Sequence, residues 1–105
     1  MDYCIYYEDD SIEKEIESRE RGYRNDVTVA IGTKDYSLYI TDIIRLHQDV
    51  DTEFCDSGYY LNMPNTIIVK EVTKEEIEKT IHNLFMENFF EKLGGVERKN
   101  NILFD

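Results

Sequence analysis

The sequence of 105 residues lacks the marks of a membrane or secreted protein. No apolar run approaches the ~20 residues that a membrane-spanning helix needs. The amino terminus MDYCIYYEDD is acidic and has no basic stretch, so it does not resemble a secretory signal. Cys4 and Cys55 are the two cysteines, which favours buried, reduced thiols over a disulfide in such a chain. We therefore expect a cytoplasmic protein with a single domain over residues 1–105.

Basic residues are scarce throughout the chain. There are 12 Lys and Arg against 23 Asp and Glu, which gives a formal net charge of −11. This charge repels nucleic acid and anionic membranes and attracts basic partners. Hydrophobic residues still make up 41% of the chain, with eight Tyr and five Phe, which argues against disorder. The composition predicts a folded acidic protein that binds neither nucleic acid nor a membrane directly.

Lys and Arg are missing altogether from Leu46 to Val69. The stretch DVDTEFCD lies inside this window and carries four acids in eight residues: Asp49, Asp51, Glu53 and Asp56. Three kinds of site would gather acids in this way. They are a metal loop, a catalytic carboxylate pair and a binding face for a basic partner.

A metal site fits this stretch poorly. The spacing of Asp49, Asp51 and Glu53 resembles the opening of a calcium loop, which takes its oxygens from alternate positions. Phe54 stands where that loop needs glycine, and Tyr60 stands where it needs a bidentate glutamate. For zinc, His47 and Cys55 are too few ligands, and no CxxC or HxxxH spacing is present. We expect neither a metal ion nor another cofactor.

The sequence also contains no motif typical of an enzyme active site. Cys55 lies beside Asp56, whose carboxylate disfavours a reactive thiolate. His82 lies at the border of an apolar helical stripe, where a structural role is typical. The sequence contains no GxSxG, HExxH or glycine-rich phosphate loop. Acid–base catalysis by a pair of carboxyl groups requires that one of them is shielded from water. Acids along a solvated strand do not meet this requirement. We therefore predict that the protein is not an enzyme.

The first half of the chain reads as strand, helix and hairpin. YCIYY, Tyr3 to Tyr7, is typical of a strand. Asp10 or Ser11 can cap a short helix from Ile12 to about Arg21, which Gly22 ends. The alternating runs DVTVAI and YSLYI flank GTKD and predict a β-hairpin.

The segment TDIIRLHQDVDTEF is ambiguous, because its apolar residues fit either a helical turn after Thr41 or a continuing strand. The even-numbered apolar set of Ile44, Leu46, Val50 and Phe54 favours a strand or an irregular edge element. Beyond it, we expect residues 59–61 to pair again and residues 66–72 to form a further strand.

A long helix is predicted to close the domain. Thr73 and Glu76 form a capping box, and Val72 and Ile77 fit the hydrophobic staple around it. The helix should run for about 20 residues to Gly94-Gly95 and form most of the core. Its apolar face comprises Ile77, Ile81, Leu84, Phe85, Phe89 and Leu93, and the tail residues Ile102, Leu103 and Phe104 add an edge strand or stay loose.

This order of elements predicts an α+β fold. We expect a mainly antiparallel sheet of four to five strands, packed by a long C-terminal helix and a short N-terminal helix.

Binding is the remaining interpretation of the acidic stretch. On a strand, the three alternating acids would point to one side, with Val50 and Phe54 on the other. Missing counter-ions favour a partner that supplies them, with tyrosines as anchors. The predicted partner-binding residues are Asp49, Asp51, Glu53, Asp56, Tyr59 and Tyr60, with Glu8, Asp9 and Asp10 as a second patch.

In size, acidity and general pattern, the chain resembles the small bacterial immunity proteins of contact-dependent growth inhibition and related polymorphic-toxin systems. The pattern covers residues 36–93 and consists of ITDIIRLHQD, PNTIIVKEVT and IEKTIHNLFMENFFEKL. The resemblance implies a cytoplasmic antitoxin that binds the C-terminal domain of a cognate toxin. A basic nuclease that cleaves tRNA, other RNA or DNA is the expected toxin, inhibited by occlusion of its active-site surface. Two alternatives stay open: an acidic DNA mimic that inhibits a host nucleic-acid-binding protein, and a small regulatory adaptor domain.

Overall fold

A mainly antiparallel five-stranded sheet organises the part of the chain that the computed structural model describes, residues 2–97. The predicted α+β fold is confirmed. In chain order the elements are β1 (Tyr3–Tyr7), α1 (Ile12–Arg21), β2 (Tyr23–Ile31), β3 (Lys34–Thr41), α2 (Ile43–Asp56), β4 (Thr66–Ile68), α3 (Lys74–Met86), α4 (Phe89–Lys92) and β5 (Val96–Glu97).

The strands lie in the order β1-β2-β3-β4. The β1–β2 and β2–β3 pairs are antiparallel, and the second is the predicted hairpin. β4 runs parallel to β3, whereas β5 pairs antiparallel with the start of β3. A bulge interrupts the β2–β3 ladder between Arg24 and Val27. β1 therefore forms one edge of the sheet.

The core lies on one face of this sheet. Because side chains alternate along a strand, Val27 and Val29 of β2 and Leu38 and Ile40 of β3 all point to the same side. The α3 helix covers them with Ile77 and Ile81, both fully buried. The rest of the core cluster is made of Tyr36, Ile67, Val69, Val72 and Phe90.

A fully buried arginine ties the N-terminal elements together. Arg24 of β2 donates from Nε to Asp26 Oδ1 over 2.6 Å and from Nη2 to the carbonyl of Asp9 over 2.6 Å. Its guanidinium also lies 3.4 Å from Glu15 Oε1 on α1 and 4.5 Å from the ring centre of Tyr7. The Glu15 carboxylate accepts the first amide of α3 as well. Arg24 thus links β1, α1, β2 and the start of α3.

The helix caps agree with the sequence. Ser11 Oγ accepts the amide of Lys14 at the start of α1, and Gly22 ends that helix with a φ of 80°. At α3, Thr73 Oγ1 accepts the amide of Glu76 over 3.3 Å. These side chains satisfy amides that the first helical turn leaves without partners. The Thr73 amide donates to the Glu71 carbonyl instead of the Glu76 carboxylate, so the reciprocal half of the predicted capping box is wrong.

Four predictions of element type or length are wrong. The segment predicted as a strand or edge element is the helix α2, and residues 59–61 do not form a strand. The strand predicted for residues 66–72 ends at Ile68. The long C-terminal helix breaks into α3 and α4, because Asn88 adopts a left-handed backbone with φ of 61°. This break turns Phe90, which the predicted apolar face did not include, into the core.

Ile102, Leu103 and Phe104 lie outside the described residues. Within residues 2–97, no helix combines the length and apolar character needed to cross a bilayer.

Candidate functional site

The acidic stretch folds as a helix because Asp42 provides an N-cap. The Asp42 carboxylate accepts the amide of Arg45 over 2.8 Å, and the backbone amide of Asp42 donates to the carbonyl of Gly22. The helix then runs for 14 residues and closes at Ser57, whose amide bonds to Glu53 and Phe54 carbonyls. Asp42 therefore fixes the start of α2 against the end of α1.

All α2 residues, each within the described part of the chain, are at least partly exposed. The helix carries an apolar stripe of Ile43, Leu46, Val50 and Phe54 at three- and four-residue steps. Ile43 is 62% exposed and Phe54 is 55% exposed. The loop after α2 adds three further exposed apolar side chains. We call this set the α2 surface: Ile43, Ile44, Phe54, Tyr59, Leu61 and Met63.

The helix also separates the predicted acidic residues. Asp49 and Glu53 are four residues apart and share one side with Asp56, whereas Asp51 lies two positions from Asp49 and points elsewhere. Oδ2 of Asp51 instead lies 3.8 Å from Nδ1 of His47, an exposed residue one turn earlier in the helix. The predicted alternating ridge with an apolar underside is therefore wrong, because it requires the two-residue repeat of a strand.

Asp49 and Glu53 face a groove of about 600 Å³ between α2, β3 and the loop that leads to β4. Tyr39 on β3 donates to Asp49 Oδ2 over 3.4 Å. Partial burial, together with the negative charge of Asp49, raises the pKa of Tyr39. Tyr60, Leu61 and Met63 complete the groove on the loop side. The carboxylates of α2 thus line one side of the groove, and the aromatic and apolar side chains of the loop line the other side.

One acid of this groove has an internal counter-ion. Arg45 Nε donates to Asp49 Oδ1 over 3.0 Å, and its guanidinium lies 4.4 Å from the ring centre of Tyr23. The expectation that the acids lack counter-ions is wrong for Asp49, because Arg45 falls just before the window without basic residues. The side-chain carboxylates of Glu53 and Asp56 have no hydrogen-bond or ion-pair partner among residues 2–97.

The residues of the second predicted patch lie between β1 and α1, where Asp9 accepts a hydrogen bond from Arg24 through its carbonyl. Asp9 Oδ1 accepts the amide of Ser11 over 3.1 Å, and hydrogen bonds from Ser11 lower the pKa of the Asp9 carboxyl. Asp10 forms an ion pair with Lys74 at the start of α3. Glu8 is exposed, and its backbone amide bonds to the Asp26 carbonyl. The structure therefore separates this patch from the α2 groove by element and by partner.

The described residues show no group of side chains typical of a metal site. Within residues 2–97, no three His, Cys, Asp or Glu side chains are placed to hold a metal ion. Cys4 and Cys55 are both free and exposed, so the prediction that these thiols are buried is wrong. His82 Nδ1 lies 3.1 Å from the hydroxyl of Tyr3, on the exposed side of α3. A second cavity, of about 760 Å³, lies between the hairpin turn and the α3–α4 junction, with Tyr36 and Phe90 in its wall.

Sequence reasoning missed several residues of this region. It did not include Ile43, Ile44, Leu61 and Met63 in the binding face, nor Tyr39 and Arg45 in the groove. A signal for them was present, because Asp42 directly before Ile43 is a typical helix start. A helix from that point would have placed Arg45 one turn before Asp49.

Comparisons with known proteins identify no relative of this chain. No family model matches it, and neither a curated protein nor a solved structure matches it.

Proposed function

We propose that this chain is a cytoplasmic immunity protein that binds and neutralises a cognate toxin domain, without catalysis of its own. The observation that carries the proposal is α2, a 14-residue helix that buries no residue and exposes Ile43, Ile44 and Phe54. Soluble monomers rarely leave large apolar patches uncovered unless they bind something. A partner protein that covers the α2 surface would remove this apolar area from water.

The charge of the chain indicates the type of partner. At a net charge of −11, with Glu53 and Asp56 unpaired within residues 2–97, the chain favours a basic protein surface. Nucleases carry basic surfaces because they hold phosphates. We propose a nuclease toxin whose active-site surface is covered by α2 and the adjoining loop. Opposite charges would speed association, which suits an inhibitor that must act before damage occurs.

A DNA mimic is less well supported. Such a protein needs carboxylates in a long regular array, whereas the acids of α2 point to two sides and Asp49 is neutralised by Arg45. The apolar side chains of the α2 surface also suit a protein better than a substitute for phosphates. A pull-down from host lysate separates the two proposals, because a DNA mimic would capture host nucleic-acid-binding proteins, whereas an immunity protein would capture a single cognate toxin.

The test is co-expression with the product of the neighbouring gene. We expect the full chain to co-purify with that protein and to restore growth of cells that express it. Reversal of Asp49, Asp51 and Glu53 together to Lys should abolish both effects while the chain stays folded. An intact complex with the triple variant would contradict the assignment of this surface. Failure to bind or protect against any product encoded beside the chain would contradict the function itself.

A further inference from the structure

Within residues 2–97, no strand pairs with the side of β1 that faces away from β2, and this edge has regular hydrogen-bonding groups. The amide of Glu8 donates to the Asp26 carbonyl on β2 over 3.1 Å. Because amides alternate in direction along a strand, those of Cys4 and Tyr6 also point towards β2. The amides and carbonyls of Tyr3, Ile5 and Tyr7 then point away from the sheet. Among residues 2–97, β2 is the strand that pairs with β1.

This edge lacks the usual protection against pairing. Natural edge strands carry a lysine, a proline or a bulge that blocks another strand. β1 has the sequence YCIYY, its ladder with β2 is regular over all five residues, and Tyr6 is 58% exposed. Tyr3, Ile5 and Tyr7 pack against the core but are only partly buried. A further strand would pair with the free backbone groups and cover these three side chains more fully.

The charges around β1 indicate which kind of strand could pair with its free side. Asp2 precedes the strand and Glu8 follows it, and neither carboxylate has a partner within residues 2–97. Two copies of β1 would bring like charges together in either orientation. Antiparallel pairing about Ile5 places Asp2 opposite Glu8, and in-register parallel pairing places each acid beside its own copy. A second copy of the chain is therefore disfavoured.

We propose that β1 accepts an extended segment of a partner protein, added as a further strand, with apolar residues in its centre and Lys or Arg at both ends. The central residues would extend the sheet over the core, and the basic ends would pair with Asp2 and Glu8. This inference goes beyond the immunity function, because it names a second contact on another element and holds for any partner with such a segment.

Amide hydrogen exchange on the full chain tests the proposal, with the synthetic peptide KKVTVTVKK as the probe and EEVTVTVEE as its control. We expect the basic peptide to slow exchange at Tyr3, Ile5 and Tyr7 by at least about tenfold at saturation. The amides of Tyr6 and Glu8, already bonded to β2, should change little. The acidic peptide should have no effect. Equal effects of both peptides, protection without alternation, no protection at Tyr3, Ile5 and Tyr7, or dimerisation of the chain through β1 would each overturn the proposal.

A pair of charge variants makes the test specific. Asp2→Lys with Glu8→Lys should abolish protection by the basic peptide and allow it with the acidic one. Glu20→Lys with Glu91→Lys gives the same net charge on the exposed sides of α1 and α4 and should leave the basic peptide bound. Equal loss in both variants would show a general charge effect and would contradict a site on β1. Because these experiments use peptides alone, their outcome is independent of whether the chain neutralises a toxin.

Discussion

Arg45 and Asp49 lie one turn apart on α2, with Nε of Arg45 3.0 Å from Oδ1 of Asp49. This ion pair neutralises one of the two carboxylates in the groove. Glu53, one turn further on, faces the same groove without a partner within residues 2–97. The groove therefore presents one carboxylate that is free to pair with a basic group from a partner.

We predict that Glu53→Lys weakens partner binding at least about tenfold, because a lysine would then oppose a basic surface. Glu20→Lys makes the same change of charge on the exposed side of α1, away from the proposed contact, and should weaken binding much less. Titration calorimetry with the co-purified partner measures both. Equal losses would show that overall charge, and not the groove, governs binding.

Phe54 should anchor the partner without supporting the fold. Phe54→Asp places a charge in the apolar part of the α2 surface, so we expect partner binding to be lost. The free energy of unfolding should change by no more than about 0.5 kcal/mol, since the side chain is already exposed. Ile16→Asp on α1 is the matched control, because Ile16 is 54% exposed and Phe54 is 55% exposed. Binding by Phe54→Asp at the native affinity would exclude α2 as the contact.

The Arg24 network should dominate the stability of the N-terminal half. Arg24→Ala leaves the Asp26 carboxylate, whose side chain is 8% exposed, without its cation. We expect a loss of about 3–5 kcal/mol in the free energy of unfolding, as for other broken buried ion pairs. Arg19→Ala removes the exposed pair with Glu71 and should cost less than about 1 kcal/mol. Urea denaturation compares the two, and similar midpoints would contradict the role assigned to Arg24.

The same network predicts how stability depends on pH. Burial alone would raise the pKa of the Asp26 carboxyl, but hydrogen bonds from Arg24 and the Asp9 amide lower it below its ordinary value. The unfolded chain therefore binds this proton first as pH falls below about 4. The stabilisation is complete above that pH and is lost as pH falls through the folded-state pKa. Asp26→Asn should be less stable at pH 7 and should show a flatter loss of stability between about pH 4 and pH 2. An unchanged slope in acid denaturation would contradict this assignment.

Gly22 should tolerate no side chain. Its φ is 80°, and an added Cβ would lie 2.8 Å from both carboxylate oxygens of Asp42, the N-cap of α2. Gly22→Ala would strain the backbone and displace the cap, so we expect a loss of about 1–3 kcal/mol. Thermal unfolding measures this loss. Gly58→Ala, also at positive φ but with open space around the added Cβ, isolates the cost of the backbone alone and should be smaller.

The parts of the fold that the sequence predicted correctly have strong local signals. The Ser11 and Thr73 caps and the glycine-containing turn of the hairpin act within a few residues of the structure they specify. The local signal of the α2 segment was ambiguous, because Leu46, Val50 and Phe54 follow one another at steps of four residues. That spacing satisfies both an even-numbered strand pattern and a helix. The cap at Asp42 favours the helix and outweighs the strand pattern.

The sequence marked the segment of the candidate site but not its arrangement. The scarcity of basic residues marks the acidic segment that forms α2, and its role in partner binding stays a prediction. Which acids share a side depends on the helical repeat, and which side faces β3 depends on the contacts of Tyr39 and Arg45 with the helix. The exposure of Ile43 and Phe54 is likewise a tertiary property, since the same stripe on α3 would be buried.

The separation of α2 from the core also affects how the protein can evolve. Fold stability rests on β2, β3, α3 and the Arg24 network, whereas the exposed positions of α2 contribute little to it. Substitutions on this helix can therefore accumulate without the folding penalty that limits change in a packed core. Proteins that share this fold can therefore adapt to a changed partner by substitutions on α2, while stability constrains the rest of the sequence.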